Sequence, residues 1–213
     1  MTIEAVDPPK ECNRCPRLRN FILDHRENEP DWFNAPVPSF GDKTARLMIV
    51  GLAPGLKGAN RTGRPFTGDY AGDLLYATLG KFGYTTGNYD KRPDDGLALK
   101  GAMITNAVRC VPPQNKPTGE EINNCRPFLI NTLNAYDKLK AILVLGRIAH
   151  DTFIRALGEK LKDYPFTHAA SHELSNGLML FDSYHCSRYN TNTGRLTEEM
   201  FEAVFEKIDN EIR

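Results

Sequence analysis

The sequence predicts an α/β protein: a single domain over residues 1–213, built on a mainly parallel central sheet with helices on both faces. Three observations carry this. Short apolar runs of strand length alternate with segments of helical period. The runs lack polar alternation, as do strands buried on both faces. The 213 residues contain no Ser/Gly-rich linker and no internal repeat, and suffice for one well-buried core.

The first strand is expected at 47–50, where Leu-Met-Ile-Val is followed by Gly51. A helix over 70–82 places Leu74, Leu75, Leu79 and Phe82 at helical spacing. The second strand covers 103–104 and its flanks. A helix over 118–140 opens on Thr118-x-x-Glu121, a capping box in which each residue satisfies a free backbone donor of the first turn. The third strand spans 141–145 and is followed by a helix over 147–158 carrying Ile148, Phe153, Ile154 and Leu157. The fourth strand spans 178–181. A last helix from about Thr197 sets Phe201, Val204, Phe205, Ile208 and Ile212 on one stripe.

The longest apolar run, 47–56, is interrupted by Gly51, Pro54 and Gly55 and is too short to span a bilayer. The first thirty residues carry Glu4, Asp7, Lys10, Glu11, Arg14, Arg17 and Arg19 with no apolar signal core, so a soluble, cytoplasmic, reducing setting is expected. The 27 basic and 27 acidic residues cancel, but residues 196–213 hold six acids and two bases. The remainder carries 25 bases against 21 acids, which fits either a locally basic face or a mixed solvated surface.

In a reducing setting, cysteine pairs read as ligands before they read as disulfides. Cys12-x-x-Cys15 closes a tight turn that directs two sulfurs at one group, and Cys110 and Cys125, with fourteen residues between them, complete a set of four. Four thiolates suit an iron–sulfur cluster or a structural zinc. Cys186 has no ligand-spaced partner.

Ligands of open α/β sheets bind at the carboxyl ends of the strands. Three polar segments fall there: the glycine-rich run 51–69, the strand end Thr105-Asn106-Ala107-Val108-Arg109-Cys110, and the segment from Ser183 to Arg195. The glycine-rich run lacks the spacing of either standard phosphate-binding loop, which argues against nucleotide hydrolysis.

The runs GLAPG, GANRTGRPFTGD, TNAVRC, SYHCS and NTGRLT, in this order and with the four cysteines, resemble the signature regions of the uracil-DNA glycosylase superfamily, most closely its fifth family, the type-b enzymes. The likeness runs from Cys12 to about Thr197. It implies the glycosylase-like fold and a [4Fe–4S] cluster held by Cys12, Cys15, Cys110 and Cys125. It implies a monofunctional enzyme of base excision repair that hydrolyses the N-glycosidic bond of uracil in DNA, with hypoxanthine and other deaminated bases as further substrates. A monomer suffices for this.

Breaking that bond leaves positive charge on the sugar and negative charge on the departing base, so the site needs groups that stabilise both. The resemblance gives His185 the role of donor to the base oxygen, Asn106 that of an amide facing the base edge, and Gly51 a place beside the base. Phe66 is the stacking platform. Asp69 either holds the attacking water or caps the helix that follows. Other families of the superfamily carry an acid or amide directly after the strand glycine; Leu52 and Ala53 stand here, which leaves Asp69 to supply the charge. Cys186 stands where many relatives have proline. Arg61, Arg64, Ser187, Arg188 and Arg195 are the expected DNA contacts, and Tyr189 a wedge for the gap left by the extruded base. The alternative is a non-catalytic iron–sulfur protein of this fold that binds DNA or senses redox state. A zinc deaminase would need His-x-Glu followed by Pro-Cys-x-x-Cys, an arrangement the sequence lacks because no Pro-Cys-x-x-Cys occurs.

Overall fold

The computed structural model describes residues 6–212. In chain order its elements are α1 (Pro16–Asn28), β1 (Phe40–Gly41), β2 (Leu47–Gly51), α2 (Ala59–Thr62), α3 (Tyr70–Lys81), β3 (Thr85–Thr86), β4 (Ala98–Leu99), β5 (Ala102–Asn106), α4 (Gly119–Asn134), β6 (Ala141–Leu145), α5 (Arg147–Ala156), β7 (Ser171–Glu173), β8 (Met179–Ser183), α6 (Arg188–Asn192) and α7 (Glu198–Ile212). Six strands form one sheet in the order β1-β5-β2-β6-β8-β7, and β3 pairs with β4 apart from it.

The four central strands are parallel, and short antiparallel strands close both edges. Every residue of β2, β5 and β6 is buried, which is why these runs read as continuous apolar stretches. One face of the sheet, through Leu47, Ile49, Ile104, Leu143 and Phe181, packs on α3 and α7. The other face, through Met48, Val50, Met103, Ile142 and Val144, packs on α4 and α5. The register sets Gly51 opposite Asn106 and Leu145 opposite Ser183, so the loops after all four parallel strands leave the same edge.

The capping box forms: Thr118 Oγ1 accepts from the Glu121 N–H at 3.3 Å and the Glu121 carboxylate accepts from the Thr118 N–H at 2.7 Å. Helix α4 ends at Asn134, six residues short of the expected 140, because the chain turns over 135–140 to enter β6. Helix α1 was not expected. Its only buried residues are Leu18 and Ile22, and it is fixed from outside by Arg17, which donates twice to Glu121 at 2.7 Å.

Two buried polar clamps tie layers together. Arg109, without exposed surface, donates to Asp7 at 2.6 Å, Ser39 at 2.7 Å and Thr132 at 2.6 Å. His150 of α5 faces Asp182 of β8 at 2.7 Å through Nδ1 and the Tyr164 carbonyl at 2.8 Å through Nε2. Both partners are acceptors, an arrangement that favours the doubly protonated ring. Burial alone would lower its pKa, but Asp182 and the carbonyl outweigh it and the pKa is raised. No helix among the described residues is long and apolar enough to cross a membrane.

Candidate active site

A cavity of about 490 Å³ opens at the carboxyl edge of the sheet, lined among others by Phe66, Asp69, Asn106, His185, Ser187 and Arg188. Three separate segments, after β2, at the end of β5 and after β8, thus meet in one hollow, as the topology requires.

The loop after β2 owes its shape to its glycines. Phe66 has φ +53°, a left-handed conformation that costs a non-glycine residue of this bulk roughly 1–3 kcal/mol and persists only where its surroundings dictate it. Its ring is buried and lies 5.9 Å from the His185 ring at 29°. A β-carbon on Gly51 would stand 2.8 Å from the Phe66 ring and 2.4 Å from Asn106 Oδ1, so only glycine lets platform and amide converge.

Asp69 sits at the N-cap of α3 with extended backbone, yet its side chain makes no capping hydrogen bond. The N–H groups of Ala71 and Gly72 face the carboxylate and pull its pKa down, although at poor geometry; burial dominates and the net shift is upward. Oδ1 is buried with no partner among the described residues. The other oxygen lies against Gly58 and Gly55, where a β-carbon would meet it at 2.2 and 2.8 Å. Capping therefore does not account for this carboxylate. A buried, unpartnered acceptor beside a cavity is suited to holding a water molecule.

Asn106 closes β5 with 3% of its surface exposed, and its Oδ1 has no partner among the described residues. His185 keeps part of its surface open to the cavity, but protein surrounds the ring closely enough that burial lowers its pKa to about 4. At neutral pH it is an uncharged imidazole with one N–H to donate. The Asn190 amide donates to the His185 carbonyl at 2.8 Å and holds the turn that presents it; Ser187 caps α6 within the same turn. Cys186 is fully buried.

The expected DNA contacts divide. Arg61 is exposed, and its charge lowers the Asp69 pKa, which sets it near the carboxylate. Arg188 is exposed on the cavity rim with its guanidinium 5.2 Å from the Tyr70 ring. Arg195 is exposed over Tyr184, and Tyr189 is 72% exposed. Arg64 does not join them. It is 5% exposed and gives one N–H from each terminal nitrogen to Asp95 at 2.7 Å, so its charge is buried in an ion pair and not presented at the surface.

The cavity also has a wall that the sequence reading left out: Leu145, Gly146, Arg147 and Ile148 at the β6–α5 junction, with Tyr70 and Asn115 on the rim. The signal was present, since Gly146 ends the third strand as Gly51 ends the first. It has φ +95° and brings its backbone to His185, whose Cβ would lie 3.5 Å from a β-carbon there.

Cys12, Cys15, Cys110 and Cys125 gather around a second, smaller hollow on α1 and α4 with Leu18, Val108 and Phe128. The Arg109 N–H donates to Cys125 Sγ at 3.3 Å. Burial pushes the Cys15 thiol up to about 11 and raises Cys110 and Cys125 as well, so thiolates here need a cationic group. Among the described residues no three Cys, His, Asp or Glu side chains are placed to hold one metal ion. Four sulfurs on one zinc, each at about 2.3 Å, would lie about 3.8 Å from each other. Four cysteine thiols are the donor set of an iron–sulfur cluster or of a structural zinc.

The family model of the uracil DNA glycosylase superfamily matches residues 38–209. A type-5 uracil-DNA glycosylase of Thermus thermophilus is 44% identical over 196 residues, 89% of each chain. A type-5 enzyme of Pyrobaculum aerophilum is 40% identical over 200 residues, 92% of this chain and 87% of the relative. A type-4 uracil-DNA glycosylase of the same organism is 34% identical over 158 residues, 72% of this chain and 66% of the relative.

Proposed function

This chain belongs to the uracil DNA glycosylase superfamily, and from that premise we propose that it hydrolyses the N-glycosidic bond of uracil in DNA as a step of base excision repair. The observation that carries the reading is the convergence of Phe66, Asp69, Asn106 and His185 on one cavity.

The extruded base stacks on Phe66, a contact of about 1–3 kcal/mol that offsets part of the few kcal/mol spent on unstacking it. Asn106 meets the base edge with its amide, whose Oδ1 has no partner among the described residues. Neutral His185 donates its N–H to the base oxygen that becomes anionic as the bond from C1′ to the base nitrogen breaks; an uncharged donor keeps its proton and stabilises that charge. Asp69 holds the water through its unpartnered oxygen, faces the cationic sugar, and accepts the proton as the water oxygen bonds to C1′. The products are the free base and an abasic site. Hypoxanthine and other deaminated bases are further substrates, admitted by a cavity in which the residues directly after β2 are the apolar Leu52 and Ala53.

Arg61, Arg188, Arg195 and Ser187 contact the DNA backbone at the rim, and Tyr189 fills the gap in the stack. Cys12, Cys15, Cys110 and Cys125 hold a [4Fe–4S] cluster, which when bound supplies a structural cross-link between the N-terminal segment and the loop after β5, four residues beyond Asn106. The whole chain acts as one domain and a monomer, in a reducing cytoplasmic setting.

Purified protein incubated with a uracil-containing duplex should give alkali-labile breaks and free uracil, and Asp69→Ala and His185→Ala should each lower the single-turnover rate by about two orders of magnitude. Salt-sensitive duplex binding with no abasic product would favour the non-catalytic reading instead. Colour and about four irons per chain would support the cluster; one zinc and no colour would overturn it.

A further inference from the structure

We propose that Tyr89 and the Arg64–Asp95 pair are positioning residues for base excision: together they form a brace behind Phe66 that keeps its ring turned toward His185 before any base arrives. The inference rests on the reading of Phe66 as the stacking platform.

Phe66 occupies the left-handed region, which its own side chain does not favour. Something outside the loop must hold it there, and the contacts are all on its rear. The Tyr89 hydroxyl donates to the Phe66 carbonyl at 3.2 Å and accepts from the Gly68 N–H at 3.4 Å, bridging the residues that flank Thr67. Burial pushes this hydroxyl up to about 12, so it keeps its proton. The same carbonyl would stand 1.8 Å from a β-carbon on Gly72, so α3 pins the turn from beneath. One residue earlier, the Tyr76 hydroxyl donates to the Pro65 carbonyl at 2.7 Å. Arg64 Nε donates to Thr67 Oγ1 at 2.7 Å, while its other nitrogens are locked on Asp95. Asp95 in turn accepts the N–H groups of Asp90 and Leu97, which fixes the segment that carries Tyr89. The Tyr89 and Tyr76 rings stack at 4.4 Å, and the Arg64 guanidinium lies within 5.8 Å of the Phe40, Tyr76 and Tyr89 rings.

None of Arg64, Tyr76, Tyr89 or Asp95 lines the cavity. The Tyr76 and Tyr89 hydroxyls reach instead the backbone of residues 65, 66 and 68, and Arg64 Nε the Thr67 hydroxyl, on both sides of the strained Phe66.

A double-mutant cycle on the full chain tests this. Single-turnover uracil excision and thermal midpoint are measured for the wild type, Tyr89→Phe, Phe66→Ala and the double variant. Acting through Phe66, Tyr89→Phe lowers the rate about fivefold in the wild type and leaves it within about twofold in the Phe66→Ala background. An equal factor in both backgrounds, or no effect in either, overturns the proposal, because a merely structural hydroxyl contributes independently of the ring. Asp95→Asn repeats the cycle with the ion pair removed; should it unfold, the Tyr89→Phe arms stand alone. A wild type inert toward uracil is the failure of the activity itself and is distinguishable from these outcomes. Unchanged excision by Phe66→Ala overturns both platform and brace.

Discussion

The carboxylate of Asp69 occupies the volume that any side chain at Gly58 would need: a β-carbon there would lie 2.2 Å from Oδ2 and 2.7 Å from Cγ. The backbone of the loop after β2 is therefore the socket of the proposed water-holding group. Gly58→Ala should displace Asp69 and lower the single-turnover rate about as much as Asp69→Ala does, roughly a hundredfold, with its far-ultraviolet circular dichroism unchanged. A wild-type rate in Gly58→Ala would mean that the carboxylate works from some other position.

The pH profile should be set by the carboxylate and not by the histidine. Burial raises Asp69 above its ordinary value, and the excision rate should rise with pH as it ionises, then level off. His185, at about 4, stays neutral through the usual histidine range and contributes no limb there. Rates measured between about pH 4 and 9 should show one acidic limb, kept in His185→Ala and absent in Asp69→Ala. A limb near the ordinary histidine value that vanishes in His185→Ala would reverse these roles.

The same shift bears on stability. A carboxyl whose folded pKa is raised loses stability as pH climbs from the unfolded value through the folded one, and the deficit persists at neutral pH. Asp69→Asn should raise the thermal midpoint at neutral pH while impairing excision. Below the unfolded carboxylate value the two proteins should melt together; a lower midpoint at neutral pH would show that the charge is compensated in the fold.

Two arginines expected to share one role should separate cleanly. Arg188→Ala removes an exposed rim cation and should reduce the salt slope of DNA binding by about one counterion, with little change in melting. Arg64→Ala should leave the slope alone and destabilise the fold, because Asp95, 1% exposed, loses its bidentate partner. Equal slopes for both variants would contradict the division.

Asp182→Ala should destabilise the protein by about 3–5 kcal/mol, because it leaves a buried imidazolium without its anion. Denaturant unfolding measures the loss. The His150 pKa is raised, so the pair's contribution is complete below the unfolded histidine value and declines as pH rises through the folded one. The gap between variant and wild type should narrow in that direction; a pH-independent gap would point to packing alone.

Much of this architecture is legible in the chain because burial on both faces leaves a plain mark: 47–51 and 141–145 contain no polar side chain, and 102–106 turns polar only at its last two residues, Thr105 and Asn106. The Thr118–Glu121 box is equally local. Helix α1 escapes notice because two buried residues in thirteen make no stripe, and what holds it, Glu121, lies more than a hundred residues away. Arg64 reads as a loop cation for the same reason, since its partner Asp95 is distant in sequence. That Asp69 makes no capping hydrogen bond and packs against Gly55 and Gly58 follows from tertiary packing, which a sequence motif does not express.

The sheet ends in strands of only two and three residues, β1 and β7. A stray extended segment docking there would find too few open amides and carbonyls to zip against, which disfavours edge-to-edge polymerisation. The molecule can consequently be crowded against others of its kind, as along a nucleic acid, with its sticky borders already blunted.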